Sequence, residues 1–279
     1  MRKITFEATK NAVKTSLIKI NYNLEDSFVK KLEDARDKET QDVSKSILDD
    51  IIENQKIAKR GTIPLCQDTG IVVAFVEFGR NVIFDGSIDR AINAGVKAAY
   101  DEGYLRKSVV NHPFNRENTK DNTPAVVHTK FVEGSQIRIK LAAKGAGSEN
   151  MSKVVMLKPS DGIDGVKKLI KDTVFNAGGR PCPPIILGIG IGGNLEKSAL
   201  ISKEALLRDL DDSSDDPTIR QLENDLYQEI NDLGVGAMGV GGDITCLGVK
   251  INHYPMHIAS LPVSINIQCH ANRHDEVIL

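Results

Sequence analysis

The sequence predicts an α+β (mixed α/β) fold, in which a helical N-terminal region packs with mixed β-sheet and glycine-rich loops. Three observations predict it. Apolar residues recur at three- and four-residue steps through the first sixty positions, with Leu17, Ile20, Phe28 and Leu32 followed by Val43, Ile47, Ile51 and Ile52. Short strand-type apolar runs then appear from residue 71 onward. These runs do not alternate strictly with helices, which sets the chain apart from a doubly wound sheet.

The N-terminal helices carry Lys, Asp and Glu between their apolar positions, and they break with turn chemistry across 61–64. IVVAFVEF (71–78) reads as a strand. Residues 86–104 return to helical spacing, with Ile88, Ile92, Val96 and Ala99 on one face. PAVVHTKFV and SQIRIKLAA read as paired strands joined by a hairpin-type turn at EGS (133–135). KGAGSEN (144–150) reads as a glycine loop and GIDGVKKLIKDTVFNA (162–177) as a helix. PPIILGIGIGGN reads as a strand entering a glycine loop, ahead of a helix over 196–210. The acidic run 209–217 reads as a solvated loop, and 218–233 as a further amphipathic helix. A second glycine loop, GVGAMGVGG (234–242), precedes the strands ITCLGVKI and LPVSINIQC. The division expected is one domain over 1–279, with two lobes at about 1–60 and 61–279.

Composition narrows the function. With 279 residues, 41% of them hydrophobic and 27% charged, the chain matches an ordinary globular protein. A net charge of −2, aromatics at 5% and no Trp argue against nucleic acid and anionic membranes as partners. No apolar run approaches the roughly 20 residues that cross a bilayer, and the N-terminus lacks a secretory core, so a cytoplasmic location is expected. Four cysteines without close pairing argue against a disulfide framework in a reducing compartment.

Three of those cysteines stand in turn-rich segments: Cys66 in PLCQDTG, Cys182 in GGRPCPP and Cys269 in NIQCHANRH. A lone cysteine most often only packs. Three thiols in Gly/Pro turns beside polar residues point instead to one shared metal or iron–sulfur centre. Structural zinc is disfavoured because close C-x₂₋₄-C pairs are absent. Three thiolates around a cubane would leave one iron open as a Lewis acid. Cys246, inside an apolar run, is assigned to packing.

Other segments are weaker signals. Gly188, Gly190 and Gly193 satisfy G-x-G-x-x-G, but no second strand with a terminal acidic residue follows, which leaves tight packing or an anion at a helix start. Asp68 lies two residues after Cys66, where a carboxylate can orient a histidine; His253 and His257 are the candidates. Arg106, after a helix end, has the planar fork that holds a carboxylate, although a solvent-facing arginine is the plain alternative. The KGAGS loop can offer backbone amides to an oxyanion.

These segments in this order, with DNTPAVVH, KGAGSENMS, GGRPCPPIILGIGIGGN, GVGAMGVGGDIT and LPVSINIQCHANRH, resemble class I (iron–sulfur) fumarate hydratases. They are most similar to the separate alpha subunit of the two-subunit form, to which the L-tartrate dehydratase alpha subunit is a close relative. The resemblance runs from about residue 60 onward. It implies a [4Fe–4S] cluster on Cys66, Cys182 and Cys269, and substrate contacts from Gln67, Asp68 and Arg106. It also implies a backbone amide at Gly145 or Gly147, and a pairing of Asp68 with His257, with His253 as runner-up. Fused members continue into a second domain that supplies a base and further cations. This chain ends ten residues after Cys269, so a ligand near a terminus needs a tie. A beta subunit completing the site is therefore expected, in a hetero-oligomer of two alpha and two beta chains.

The implied reaction is reversible hydration of fumarate, a small dicarboxylate, to (S)-malate. L-Tartrate dehydration is the alternative within the class. A non-catalytic, metal-stabilised partner subunit and a nucleotide-dependent oxidoreductase stand outside it.

Overall fold

A computed structural model describes residues 1–61 and 63–279. The turn expected across 61–64 includes residue 62, which lies outside the described residues. In chain order, the first elements are β1 (Arg2–Ile4), α1 (Phe6–Tyr22), α2 (Asp26–Lys38), α3 (Asp42–Lys59), β2 (Ile71–Gly79) and β3 (Val82–Phe84). Then come α4 (Ile88–Glu102), β4 (Val126–Val132), β5 (Ile137–Lys144), the one-turn α5 (Ala146–Glu149), β6 (Lys153–Leu157) and α6 (Gly162–Ala177). The last are β7 (Ile185–Gly192), α7 (Leu195–Ala205), α8 (Pro217–Asn231), β8 (Cys246–Tyr254), β9 (Leu261–Gln268) and β10 (His274–Ile278). The mixture is α+β, as the sequence predicts. The chain divides into two compact units, Met1–Leu24 with Gln55–Ala146 and Arg273–Leu279, and Glu25–Asn54 with Gly147–Asn272.

The first unit is built on a four-stranded sheet ordered β10-β5-β2-β4. Here the structure corrects a sequence expectation: β4 and β5 do not form a hairpin. β2 lies between them, parallel to β4 and antiparallel to β5. The reason is burial. Val72 to Val76 are buried without alternation, which suits a central strand with both faces covered. The EGS turn instead wraps the end of β2, where Gly79 N–H donates to the Gln136 carbonyl and Asn81 N–H to that of Gly134. Helices α1 and α4 cover this sheet, with Leu17, Val72, Ile92, Val96, Ile139 and Leu141 in one core. Their approach is close. A Cβ on Gly95 would stand 2.8 Å from the Lys10 carbonyl and from Val13, so only glycine fits there. Side-chain caps start both helices: Thr5 accepts from Ala8 N–H and Ser87 from Arg90 N–H.

The second unit is built on a sheet ordered β6-β9-β7-β8, with β7 parallel to β8 and antiparallel to β9. Its core joins Ile170 and Val174 of α6, Leu226 and Ile230 of α8, and Leu187, Val263 and Ile265 of the sheet. Gly188 and Gly190 of β7 face α7. A Cβ on Gly188 or Gly190 would overlap the carbonyls of Ser202 and Ser198, so this glycine motif is helix-on-strand packing.

Candidate active site

The candidate residues of the first unit centre on the loop Cys66-Gln67-Asp68-Thr69-Gly70. Cys66 and Asp68 are half-buried, Gln67 is exposed, and Thr69 and Gly70 are buried. The loop is held by polar side chains from distant segments. Tyr100 hydroxyl lies 2.7 Å from the Thr69 carbonyl and 3.0 Å from that of Gly70. Burial, more than any nearby charge, pushes that hydroxyl's pKa well above its ordinary value, so it stays a donor. Asn122, fully buried, donates from Nδ2 to the Gly70 carbonyl at 3.1 Å and accepts from Ser108 N–H at 2.7 Å. Thr69 Oγ1 donates to the Arg106 carbonyl at 2.7 Å. Arg106 itself is exposed. Thus the long excursion 103–125 is fastened to the cysteine loop, and Arg106 is carried to its edge.

The Asp68 carboxylate is aimed by two backbone donors, Gly70 N–H to Oδ1 at 3.0 Å and Ala146 N–H to Oδ2 at 2.8 Å. Gly145 is buried beneath it, where a Cβ would come 3.1 Å from Oδ2. Buried Arg273 donates from Nη1 to the Asp68 carbonyl at 2.7 Å.

In the second unit, Cys182 and Cys269 lie in one neighbourhood. His270, directly after Cys269, places Nδ1 3.0 Å from the Cys182 carbonyl, and its N–H donates to the same oxygen at 3.4 Å. Both thiols are half-buried. Cys182 adopts φ +56°, the left-handed region, inside a turn closed by its N–H donating to the Gly179 carbonyl. Behind it, Met238 N–H donates to the Pro183 carbonyl at 2.9 Å, and a Cβ on Gly179 would overlap the Met238 carbonyl. The glycine loop 234–242 is thus the floor of the Cys182 turn.

That floor is anchored by the helices for which the sequence shows no chemistry. Glu39, buried between α2 and α3, accepts from Asp243 N–H, Ile244 N–H and Ser44 Oγ, and Ser44 Oγ accepts from Ala237 N–H. A buried carboxylate needs such donors. Thr40, donating through its hydroxyl and amide, holds the Asp243 carboxyl below its usual range.

His257 lies exposed in the β8–β9 connection. Its Nδ1 accepts from Ala259 N–H at 3.1 Å, which puts the neutral ring's proton on Nε2. His253, near the end of β8, is also exposed. Gly147, in α5, is exposed, unlike Gly145. Of the residues expected from the sequence, five lie in the first unit, Cys66, Gln67, Asp68, Arg106 and Gly145, where Arg273 joins them; the second unit holds Cys182, Cys269, His257 and Gly147.

The donor chemistry fits a cluster held by thiolates. Cys246 is the contrast: fully buried, its thiol is pushed up to about 12 by desolvation, and it donates to the Gly248 carbonyl. The three loop cysteines carry no such cover. Within neither unit do three His, Cys, Asp or Glu residues converge on a metal position, among the described residues. Cys66 belongs to the first unit, and Cys182 and Cys269 belong to the second. The tie expected for the segment after Cys269 is supplied within the chain, since β10 pairs with β5 from His274 to Ile278. No helix among the described residues is long and apolar enough to cross a membrane.

Sequence reasoning passes over Tyr100, Asn122, His270, Arg273 and Glu39. Asn122 and the 270–273 stretch lie inside quoted motifs, so position alone could have raised them. Nothing in the sequence connects Glu39 to a loop two hundred residues away.

A family described as Fumarate hydratase (Fumerase) matches residues 10–278. A Methanocaldococcus jannaschii protein named "Putative L(+)-tartrate dehydratase subunit alpha" is 48% identical over 249 residues, 87% of each chain. The L(+)-tartrate dehydratase subunit alpha of Escherichia coli strain UTI89 is 29% identical, over 91% of this chain and 85% of its own. That of Shigella sonnei is 28% identical, over 93% of this chain and 87% of its own.

Proposed function

Because the chain belongs to the fumarate hydratase (Fumerase) family, we propose that it is the alpha subunit of an iron–sulfur hydro-lyase that interconverts fumarate and (S)-malate. One observation carries the cofactor: three half-buried cysteines in bent loops, against a fourth that is sealed in the core. Cys66, Cys182 and Cys269 would hold a [4Fe–4S] cluster. When bound, it supplies Lewis acidity at an iron without a protein thiolate.

The chain's own residues supply the rest. Arg106, exposed at the edge of the Cys66 loop, binds one substrate carboxylate through its two-pronged guanidinium. Gln67, also exposed, contributes a neutral contact from the same loop. Gly147, the exposed member of the glycine pair, offers the backbone amide. In dehydration the C2 hydroxyl must leave as water and the C3 proton must leave to a base. Asp68, aimed by two backbone amides, and His257, with Nε2–H outward, serve the hydroxyl's proton. The base for the C3 proton, with further cations, comes from a beta subunit. A partner of that kind agrees with the "subunit alpha" in the relatives' names.

A second reading, dehydration of L-tartrate to oxaloacetate, is favoured by those same names. The experiment is anaerobic co-purification with the beta chain, counting iron and sulfide and assaying (S)-malate, fumarate and L-tartrate. Fumarate hydration well above tartrate turnover is expected. Turnover of tartrate alone moves the assignment to the second reading, and a preparation reconstituted without iron that turns over both removes the cluster.

A further inference from the structure

Arg273 is 2% exposed, yet it is a full cation on neutral acceptors. Its Nη1 donates to Asn21 Oδ1 at 3.1 Å and to the Asp68 carbonyl at 2.7 Å, while Nε is buried with no hydrogen-bond partner among the described residues. Burying a guanidinium this way is expensive, and an apolar replacement of similar volume is often neutral or stabilising. What the arrangement secures is placement. Asn21 is itself buried, its Nδ2 donating to the Leu17 carbonyl at 2.9 Å and its own carbonyl accepting Leu65 N–H at 2.8 Å. Asn21 therefore holds the residue before Cys66, and Arg273, bonded to Asn21, holds Asp68. The backbone of Arg273 is fixed in turn, its carbonyl accepting Ala143 N–H at 3.0 Å beside β5. Nη2 stands 3.5 Å from the Cβ position of Gly145, the same point that lies 3.1 Å from Asp68 Oδ2. One side chain thus meets the carbonyl of Asp68, the partner of Leu65 and the glycine under the carboxylate.

We propose that Arg273 is a positioning residue, bracketing the segment from Leu65 to Asp68 with Asn21 so that the Asp68 carboxylate is presented in one orientation. This rests on the reading in which Asp68 serves a proton. A small misplacement of such a group costs turnover far more than binding.

The test uses the anaerobic complex with its beta chain and the variants Arg273→Met, Asp68→Asn and the double substitution. Arg273→Met is expected to lower kcat about 10- to 100-fold with KM within about threefold and iron per chain unchanged. In the Asp68→Asn background the same change should cost less than about threefold, because the residue it acts through is already disabled. Full multiplication of the two losses overturns the proposal, as does iron lost in proportion to activity. If Asp68→Asn loses turnover while Arg273→Met keeps it, only this inference falls. If Asp68→Asn keeps turnover, the reading of Asp68 falls and positioning through it falls as well. Should Arg273→Met not fold, Arg273→Lys retains the charge and reaches a single acceptor, and the same cycle is read with it. A second readout needs no turnover: amide exchange at Gly70 and Ala146, the two donors to the Asp68 carboxylate, should quicken at least about tenfold in Arg273→Lys while the β2–β5 ladder holds. Unchanged exchange at both amides overturns the proposal.

Discussion

The Cys66 loop and the Cys182 turn are held by different means. Around Cys66 the restraint is side-chain chemistry: Tyr100, Asn122, Thr69 and Arg273 each satisfy a backbone group across the loop or its neighbours. Around Cys182 it is backbone shape: a left-handed residue, a glycine in contact with the Met238 carbonyl, and a turn that seats on a second glycine loop. The first kind of restraint can be removed one hydrogen bond at a time. The second fails by overlap, since a backbone has no other rotamer to adopt.

The strongest way to break this comparison is at the thiols themselves, where both regions should behave alike. Cys66→Ser and Cys182→Ser are each expected to lose most of the iron and to lower turnover by at least about a hundredfold, beyond what loss of an outer contact costs. Cys246→Ser should keep its iron. Full iron in Cys182→Ser, measured on an anaerobic preparation, would remove that residue from the ligand set.

Next in size is the overlap test. Gly179→Ala sets a methyl against the Met238 carbonyl, and about 3 kcal/mol of destabilisation is expected, the upper end for overpacking. A melting temperature within a degree or two of wild type would show the turn to be more yielding than its geometry indicates.

Asn122→Ala sharpens the other side. It leaves the Gly70 carbonyl and Ser108 N–H without their partner, at a cost of about 2 kcal/mol. Because Arg106 rides on the same excursion, KM for the dicarboxylate should rise more than kcat falls. Equal effects on both would detach Arg106 from the loop.

The smallest effect separates the glycines of the KGAGS loop. A Cβ on Gly147 meets only the Arg180 carbonyl at 3.5 Å, an ordinary contact, so Gly147→Ala should change stability by less than about 0.5 kcal/mol. Gly145→Ala, 3.1 Å from Asp68 Oδ2, should cost more in both turnover and melting temperature. Reversal of that order would mean the Asp68 carboxylate moves freely.

Much of the element order was legible. The helices at 88–102, 162–177 and 217–231 and the strands β2, β7, β8 and β9 follow from period and turn chemistry, which are local properties. Strand pairing was not. The short turn at EGS looks like a hairpin from within its own window, and only the doubly buried β2 shows that a third strand takes the place between. The short strands β1, β3, β6 and β10 also escaped, being too brief to set a pattern against their surroundings.

The residue types for the candidate chemistry were visible for the same reason: a cysteine among Gly and Pro announces a bent backbone wherever it folds. The supports were not visible. Asn21, Tyr100, Asn122 and Arg273 gain their roles from partners dozens to hundreds of residues away, and Glu39 reaches Asp243 across two hundred. By itself, then, the sequence determined the periodicities, the turns and the set of reactive side chains, because those depend on near neighbours. Which strands pair, which buried polar groups hold each loop, and which glycine lies under a carboxylate were decided by the tertiary structure, because long-range burial selects the partner for every backbone group removed from water.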